Sequence, residues 1–490
     1  MTWTLSIVAR VNAHGDHQIT QLWLGGERFC GSGDSIDVIS PFDQRLVGRV
    51  PACEPSDVDR AVSVARRALT EPLAPWRRAE ILDRACDAIA ERRDELARLI
   101  ALEAAKPIQT ARIEVDRAVS TFRFASAEAR TLSGEVIPLD AASVGEGKVG
   151  FTMRVPIGVV AAIAPFNFPL NLVAHKIAPA IAAGCPVVLK PASQTPLTAV
   201  ALVDLLIDEC GLPPDYLHVV TGGGGTIGNA LVDHSEVDLI TFTGSPDVGW
   251  SIRARAPRKK VGLELGNNAP VIIEPDGDWQ LAATKIRMAG FSHAGQSCIS
   301  TQRILVHESI AVEFTAALVD HVSSLVVGDP LDDATEVSAL ISTTERDRVT
   351  AWIDEAVADG AVLECGGVLD ESGVLVPTVL SQVVPSMKVC AAEVFGPVVA
   401  IASYATLDEA IAMANDTVFG LQAAIFTSRL DAAMDAFERL DFGGVLVNEV
   451  PTWRADQQPY GGRRESGNTR EGPAFAVREM TEIRLVVLSR

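Results

Sequence analysis

The feature that most constrains the fold is an alternation of short apolar segments and helical stretches that begins near Val155. The first apolar segments read GVVAAIAP, PVVLK, YLHVV and DLITFT, and the intervening stretches predict helices over 168–184, 195–211, 225–233 and 246–256. Buried parallel strands are near-continuous apolar runs, each joined to the next by a helix. This region therefore predicts a Rossmann-like α/β domain, in which a doubly wound parallel sheet carries helices on both faces.

A second alternation predicts a second α/β domain. It runs through PVIIE (270–274), RILV, VVAIASY, LQAAIFT and GGVLVN, with helices predicted over 308–326 and 343–359. Upstream of both domains, amphipathic patterns predict long helices over 76–104 and 108–132. These helices are separated at Lys106-Pro107, because the residue before a proline disfavours helical geometry. Ser56 is predicted to cap an earlier helix.

Charge and cysteine usage exclude several classes of protein. The chain has 42 basic and 63 acidic residues, a formal charge of −21, so it should repel nucleic acids and anionic membrane surfaces. Its eight cysteines include no CxxC pair, which fits neither a zinc site nor a disulfide framework, and we expect no metal. No basic segment precedes an apolar run at the amino terminus, and no apolar span approaches 20 residues. The expected location is cytoplasmic.

Two reactive side chains lie in the stretch from Gly262 to Cys298, which opens GLELGNNAP and closes GFSHAGQSC. A cysteine thiolate can attack a carbonyl carbon, and a carboxylate can take a proton from water. Glu264 and Cys298 are therefore candidates for forming and hydrolysing a covalent adduct. Taken singly, each has another interpretation, since cysteine is often a small buried apolar residue and glutamate a solvated charge.

Four strings resemble the aldehyde dehydrogenase superfamily in content and in order: APFNFP, FTGS, LELGNNAP and GQSC. With flanking similarity, the resemblance covers nearly the whole chain. It implies that Cys298 is the nucleophile, that Glu264 is the general base, and that Asn167 holds the oxyanion together with the Cys298 backbone N–H. Asn167 could also cap the next helix. Because members that transfer the acyl group to coenzyme A commonly lack this base, the resemblance favours hydrolysis to the acid.

The resemblance also implies a nicotinamide cofactor, NAD or NADP. The GxGxxG in TGGGGTIG (221–228) has no acidic residue at the expected ribose position, so FTGSPDVG is favoured as the start of the pyrophosphate-binding helix. Ser193 stands where many NAD-preferring members carry a glutamate that repels a 2′-phosphate. NADP is therefore expected to be accepted, with the preference left open. The candidate cofactor-binding residues are Phe166, Lys190, Ser193, Gly225, Phe242, Gly244, Ser245, Gly249, Leu265, Glu393 and Phe395.

Three positions that match the family's aldehyde tunnel are basic in this chain: Arg117, His175 and Arg454. Arginine forks suit phosphate, phosphonate, sulfonate or carboxylate groups, so the expected substrate is a small anionic aldehyde. Alternatively, Arg117 could pair with Glu114 one helical turn earlier. Ser297, beside Cys298, disfavours a triose phosphate. Because PYGG and REG near the carboxyl terminus resemble lactaldehyde and glycolaldehyde members, those substrates and general aliphatic aldehydes stay open.

The resemblance implies a division of the chain and an oligomer. The cofactor-binding domain comprises 1–133 and 157–265, the catalytic domain 266–455, and a small β oligomerisation element 134–156 and 475–490. In the family, a hairpin like 134–156 pairs with the last strand of another subunit. An apolar final strand without a local partner would be an exposed edge in a monomer. A homo-oligomer, dimer or tetramer, is therefore expected.

Two interpretations from other classes compete with a dehydrogenase. A cysteine hydrolase or esterase would need a histidine beside Cys298, and His293 is the nearest one in sequence. A binding protein that merely shares the fold is disfavoured, because Asn167, Glu264 and Cys298 are all present. Turnover that strictly requires a nicotinamide cofactor would separate the dehydrogenase from both.

Overall fold

The computed structural model describes residues 19–31 and 34–489. The first domain boundary proposed above begins at residue 1, and residues 1–18 lie outside the described residues. In chain order, the first part contains β1 (Leu22–Leu24), β2 (Glu27–Phe29), β3 (Ser35–Ile39), β4 (Leu46–Pro51), α1 (Pro55–Ala68), α2 (Pro75–Glu91), α3 (Arg93–Ala104), α4 (Ile108–Thr131), β5 (Val136–Ile137), β6 (Lys148–Pro156), β7 (Val160–Ile163), α5 (Asn171–Ala183), β8 (Val187–Lys190), α6 (Leu197–Asp204), β9 (Leu217–Val219), α7 (Asn229–Asp233), β10 (Leu239–Thr243), α8 (Pro246–Arg255) and β11 (Lys260–Glu264).

The remaining elements follow a similar alternation. They are β12 (Pro270–Ile273), α9 (Trp279–Ala289), β13 (Arg303–His307), α10 (Ala311–Ser323), α11 (Thr343–Ala358), β14 (Val362–Cys365), β15 (Thr378–Ser381), α12 (Lys388–Ala391), β16 (Val398–Tyr404), α13 (Leu407–Asn415), β17 (Gln422–Phe426), α14 (Leu430–Arg439), β18 (Gly444–Val447), α15 (Pro473–Glu479) and β19 (Thr481–Ser489).

The four apolar segments of the first alternation form β7, β8, β9 and β10, as predicted. With β11 they make a five-stranded parallel sheet in the order β11-β10-β7-β8-β9. The chain runs outward from β7 to β9 and then returns to the other side of β7, so the strand order reverses between β7 and β10. Loops at the carboxyl ends of these two strands diverge, and the crevice between them is where open α/β sheets bind ligands.

The second alternation forms a seven-stranded sheet in the order β14-β15-β16-β13-β12-β17-β18. All of its pairs are parallel except β14 with β15. The central strands β12 and β17 are completely buried, which explains why their sequences are continuous apolar runs. The predicted second α/β domain is confirmed.

Several helix boundaries differ from the sequence prediction. The stretch 76–104 is two helices, because Arg92 has non-helical dihedrals (φ −107°, ψ 24°) and its guanidinium lies 2.7 Å from Glu209. The first turns of the predicted helix over 308–326 form a 3₁₀ turn, and α10 ends at Ser323. Ser56 does not cap α1. That helix starts at Pro55, whose fixed φ suits the first helical position, and Glu54 precedes it.

The pairing of the final strand corrects the sequence prediction. β19 pairs antiparallel with β6 of the same chain in an unbroken nine-residue register, from Thr481 opposite Pro156 to Ser489 opposite Lys148. The final strand therefore has a local partner. In the three-stranded sheet β19-β6-β5, β19 is an edge, and its side chains Ile483, Leu485 and Leu488 are more than half exposed. Across the two described ranges, no helix combines the length and hydrophobicity needed to cross a bilayer.

Candidate active site

The first sheet brings several candidate residues to one edge. The carboxyl ends of parallel strands meet at the same side of a sheet, so the loops after β7, β8 and β10 begin close together. The loop after β7 carries Phe166 and Asn167, β8 itself ends at Lys190, and the loop after β10 carries Gly244 and Ser245. β11 ends at Glu264, which is paired in register with Thr243 of β10. The crevice predicted from the strand order is therefore the place where these residues are found.

Cys298 lies in the connection between α9 and β13, after a tight turn at Ser292–Gly295. Within the turn, His293, Ala294 and Gly295 have φ values of 50°, 54° and 70°. A Cβ added at Gly295 would lie 2.1 Å from the Gly396 carbonyl oxygen, so only glycine fits this close approach. The turn leads the chain into the crevice, where the Cys298 side chain is only partly exposed.

The Cys298 thiol contacts the hydroxyl group of Tyr460. Its Sγ lies 2.9 Å from Tyr460 Oη, and the two side chains pack in a small apolar cluster with Ile299 and Leu421. Burial raises the pKa of the Cys298 thiol to about 12, and the hydrogen bond with Tyr460 opposes that rise. His293 does not act as a base for Cys298 in this structure, since neither of its ring nitrogens has a hydrogen-bond partner.

Glu264 is a buried carboxylic acid without hydrogen bonds. Its residue is 4% exposed, and neither side-chain oxygen has a partner. Burial, followed by the nearby charge of Glu471, raises the pKa of Glu264 well above its usual value of 4.5, although Arg454 and Lys176 lower it. A carboxyl group in this environment is a stronger base than one in water, and it has free lone pairs to accept a proton.

Asn167 is held by the segment that carries the thiol. Its Nδ2 donates to the Gln296 carbonyl oxygen at 2.8 Å, which leaves the second amide N–H available. Asn167 does not cap α5, because that helix begins at Asn171. The first α5 amides are instead satisfied by Glu114, whose Oε1 accepts from Leu170 N at 2.9 Å and Asn171 N at 3.1 Å.

The structure brings Arg117, His175 and Arg454 together around one carboxylate, Asp456. Asp456 Oδ1 lies 2.9 Å from Arg117 Nη2 and 3.2 Å from His175 Nε2. The alternative pairing of Arg117 with Glu114 is wrong, because Glu114 forms a fully buried ion pair with Lys106. Asp456 is a residue that the sequence interpretation missed.

Arg454 links this basic cluster to the thiol. Its Nη2 lies 2.9 Å from Glu471 Oε2 and 3.2 Å from His175 Nε2. Its guanidinium stacks 3.8 Å from the centre of the Tyr460 ring, the ring whose hydroxyl contacts Cys298. Tyr460 and Glu471 had not been assigned roles from the sequence, although they lie in the PYGG and REG strings noted there.

Two carboxylates in this site have opposite ionisation. Burial raises the pKa of Glu471, but Arg454 and then Lys176 bring it below its usual value. Lys176, which the sequence interpretation also missed, donates to Thr241 at 3.1 Å and Thr243 at 2.7 Å and lies 4.0 Å from Glu471. Glu471 is thus held as an anion, while Glu264 beside it is driven towards the neutral form.

The candidate cofactor-binding residues line the same crevice. Lys190 is buried, and its Nζ donates to the Pro191 carbonyl at 3.4 Å. Ser193 Oγ donates to the Gly222 carbonyl at 3.0 Å, and no atom lies within 4 Å of a Cβ built on Gly225. Ser245 immediately precedes α8. Close packing surrounds the remaining glycines, since a Cβ added at Gly244 or Gly249 would lie 2.5 Å from Phe242 or Leu265.

Glu393 and Phe395 lie in the loop between α12 and β16, where they line a small pocket with Ser297. Burial raises the pKa of Glu393 to about 7, and the Asn267 backbone N–H donates to its Oε1 at 2.9 Å. Phe395 has a φ of 48° and packs edge-to-face on Phe166 at 5.8 Å between ring centres. In the described ranges, no cluster of three or more His, Cys, Asp or Glu side chains is arranged to hold a metal.

Comparisons with known proteins match most of the chain to one family. Residues 29–486 match the Aldehyde dehydrogenase family. A 3-sulfolactaldehyde dehydrogenase of Priestia megaterium is 44% identical over 468 residues, which is 96% of this chain and 98% of that protein. Aldehyde dehydrogenase 21 of Physcomitrella patens, solved with its product succinate, is 37% identical with a TM-score of 0.92, covering 96% and 98% of the two chains. The glyceraldehyde-3-phosphate dehydrogenase of Methanocaldococcus jannaschii, solved with NADP, is 37% identical with a TM-score of 0.89, covering 94% and 100%.

Proposed function

This chain belongs to the aldehyde dehydrogenase family and carries out NAD(P)-dependent aldehyde oxidation, and we propose that its substrate is a small anionic aldehyde. One observation carries the substrate proposal. The guanidinium of Arg454 stacks on Tyr460 at 3.8 Å, and the hydroxyl of that tyrosine lies 2.9 Å from Cys298 Sγ. The basic cluster and the thiol are therefore one aromatic side chain apart, a spacing suited to a short aldehyde with its charge at the far end.

In the proposed reaction, the Cys298 thiolate adds to the aldehyde carbon and forms a thiohemiacetal. The free N–H of Asn167 and the Cys298 backbone N–H hold the oxyanion, and one such donor is worth ~3 to 4 kcal/mol. When bound, the nicotinamide cofactor supplies the hydride acceptor that converts the adduct to a thioester. Glu264 then takes a proton from water, the hydroxide attacks the thioester, and the acid leaves as the thiolate re-forms.

Several observations support nicotinamide dinucleotide binding in the crevice. Open space above Gly225 leaves room for a ligand, and Ser245 at the start of α8 supplies backbone N–H groups suited to a pyrophosphate. We propose that Lys190 contacts the adenosine ribose, and that Glu393 and Phe395 contact the nicotinamide ribose and ring. Ser193 brings no negative charge, so we propose that NADP is accepted as well as NAD.

The domain division is likewise a proposal. The five-stranded sheet supports a cofactor domain of 1–133 and 157–265, and the seven-stranded sheet supports a catalytic domain of 266–455. The segments 134–156 and 475–490, which contain the strands of the small sheet β19-β6-β5, are proposed as the oligomerisation element, supported by the exposed apolar side chains on the β19 edge. Sedimentation of the purified chain would test the proposed dimer or tetramer.

The relatives support an anionic headgroup. The similar Priestia protein is named for a sulfonated aldehyde, and the Physcomitrella structure holds a dicarboxylate product. In this chain, we propose that Arg117, His175 and Arg454 bind the substrate's sulfonate, phosphonate, phosphate or carboxylate group.

A neutral hydroxyaldehyde such as lactaldehyde is a second candidate. It is favoured by the ion pairs that Arg117 and Arg454 already make with Asp456 and Glu471, which reduce the positive charge offered to a ligand. Kinetics at 340 nm with anionic aldehydes, lactaldehyde and propanal would separate the two candidates.

A matched pair of variants on α4 tests the headgroup role. Arg117 and Arg112 have side chains that are 24% and 23% exposed, and both pair with aspartates. Arg117→Ala should lower kcat/KM for an anionic aldehyde ~30- to ~3000-fold, the loss expected when one partner of a buried charged contact is removed. Its effect on propanal should be much smaller, and Arg112→Ala should leave both unchanged. Equal losses on both aldehydes in Arg117→Ala would contradict the proposal.

A further inference from the structure

Asp456 is the centre of the basic cluster, although it has the same charge sign as the proposed substrate. A single oxygen, Oδ1, lies 2.9 Å from Arg117 Nη2, 3.2 Å from His175 Nε2 and 3.3 Å from Asn171 Nδ2. Burial opposes ionisation, but the hydrogen bond with His175 and the charge of Arg117 hold the pKa of Asp456 well below its usual range. The basic cluster therefore contains a negative charge at its centre at neutral pH.

The groups around Asp456 leave a small positive excess. The titratable and charged groups that face the cluster are Glu114 and Arg117 on α4, His175 and Lys176 on α5, Glu264 on β11, Cys298, and Arg454, Tyr460, Arg470 and Glu471 after β18. Glu114 is already neutralised by Lys106, and burial with Arg454 keeps His175 neutral by lowering its pKa. Arg470 keeps its charge, but that charge acts on Glu264 and Glu479 rather than on Asp456 or Glu471, and its guanidinium donates to the carbonyls of Gly462 and Thr469.

The charge count around Asp456 and Glu471 then includes these two anions and three cations: Arg117, Lys176 and Arg454. One positive charge remains to be balanced when Glu264 is neutral. An unused donor is also present, since Arg454 Nε has no hydrogen-bond partner. A singly charged headgroup would neutralise the excess and could accept from this donor. A doubly charged headgroup would add an uncompensated negative charge beside Asp456, and like charges in a desolvated site repel strongly.

We propose that Asp456 is a specificity-determining residue that restricts the pocket to singly charged headgroups, sulfonates or carboxylates, and rejects the dianions of phosphonates and phosphates. This inference rests on the anionic-aldehyde function proposed above and narrows it. Asp456 acts through charge and through the positions of Arg117 and His175.

Two probes with the same carbon skeleton test the inference, sulfoacetaldehyde and phosphonoacetaldehyde. The sulfonate is singly charged at every working pH, whereas the phosphonate takes its second charge at a pKa of about 6 to 7, as phosphate esters do. The quantity to measure is the ratio of kcat/KM for phosphonate over sulfonate, from pH 6 to pH 9. Titration of groups in the free enzyme, such as Glu264 and Cys298, affects both substrates alike and largely cancels in this ratio.

For the unaltered protein, the ratio should fall about 10-fold per pH unit above the second phosphonate pKa, because only the monoanion is accepted. Asp456→Asn keeps the shape and an acceptor oxygen but removes the charge. In that variant the fall should flatten, with the ratio at pH 8.5 rising at least ~10-fold over that of the unaltered protein. A purely structural Asp456 would not change the slope.

The outcomes separate this inference from the proposed function. A pH-independent ratio in the unaltered protein, with both anions preferred over propanal, would overturn the role of Asp456 and leave the anionic-aldehyde function standing. An unchanged slope in Asp456→Asn would also overturn it. If propanal is turned over faster than both anions, the proposed function itself fails. Because the unaltered protein alone can give the first and third results, the test does not depend on the variant folding.

Discussion

Two buried polar clusters meet near the α4–α5 contact, and they differ in how completely their hydrogen bonds are satisfied. In the first cluster, Glu114 accepts from Lys106 and from two α5 backbone amides, and Lys106 also lies 3.6 Å from the centre of the Phe168 ring. In the second, Glu264 has no partner on either oxygen, and single atoms of Arg454 and Glu471 are also unpaired.

The difference separates structural from chemical roles. A buried charge with all of its partners holds elements together, and removing one partner is costly. Buried groups without partners are energetically unfavourable, and they persist where a substrate, water or proton is to be received. The first cluster therefore explains how α5 is anchored, and the second is where the chemistry is expected.

The largest expected effect comes from Glu264→Gln. Loss of the base should lower steady-state kcat by ~10²- to ~10⁴-fold, while the first turnover still yields about one reduced cofactor per subunit. Stability should barely change, because no hydrogen bond is lost. Stopped-flow absorbance at 340 nm measures this first-turnover burst of reduced cofactor. If the variant lost the burst as well as steady-state turnover, Glu264 would be needed in a step before the thioester forms.

The same residue sets a pH dependence. Glu264 must be ionised to act, and burial with Glu471 raises its pKa well above 4.5. Hydrolysis should therefore increase as pH rises through that elevated pKa. This increase of the hydrolysis rate with pH should be absent in Glu264→Gln, because the variant lacks the titrating carboxyl group. If the hydrolysis rate of the variant still increased over the same pH range, the titrating group would be another residue.

Glu114→Ala, in contrast, should mainly lower the stability of the fold rather than the activity. The substitution leaves Lys106 without its buried partner and two backbone amides at the start of α5 without an acceptor. It should therefore lower the free energy of unfolding by ~3 to 5 kcal/mol. Urea unfolding midpoints would show the loss. Arg112→Ala on the same helix breaks only exposed pairs and should cost less than ~1 kcal/mol. Equal midpoints for the two variants would remove the distinction between the clusters.

The smallest expected effect is that of Tyr460→Phe, which removes only the hydroxyl beside the thiol. Its hydrogen bond lowers the pKa of Cys298, so the variant should raise that pKa further, and loss of a hydrogen bond worth ~1 kcal/mol should slow iodoacetamide alkylation ~5-fold. Alkylation must be followed on the Cys298 peptide by mass spectrometry, because Cys30 is exposed. If the alkylation rate of Cys298 had the same pH profile in the variant, Tyr460 would have only a packing role.

Much of the fold could be predicted because its signals are local. The apolar runs of β7, β8 and β10 and the glycine-rich turns depend on neighbouring residues, and Pro107 marks a helix boundary by its own geometry. The break at Arg92 carries no such signal, since its partner Glu209 is more than a hundred residues away. The start of α1 was misplaced because Ser56 and Pro55 are both acceptable near a helix start.

The candidate site divides in the same way. By itself, the sequence determined which side chains are candidates for the chemistry, since Cys298, Glu264 and Asn167 lie in short strings whose residue types suit it. The tertiary structure alone decided their environment. Asp456 and Glu471 neutralise basic residues that looked free in the sequence, and Tyr460 joins the basic cluster to the thiol. The reason is physical: reactivity belongs to a side chain, whereas pKa, pairing and net charge depend on burial and on neighbours that only folding brings together.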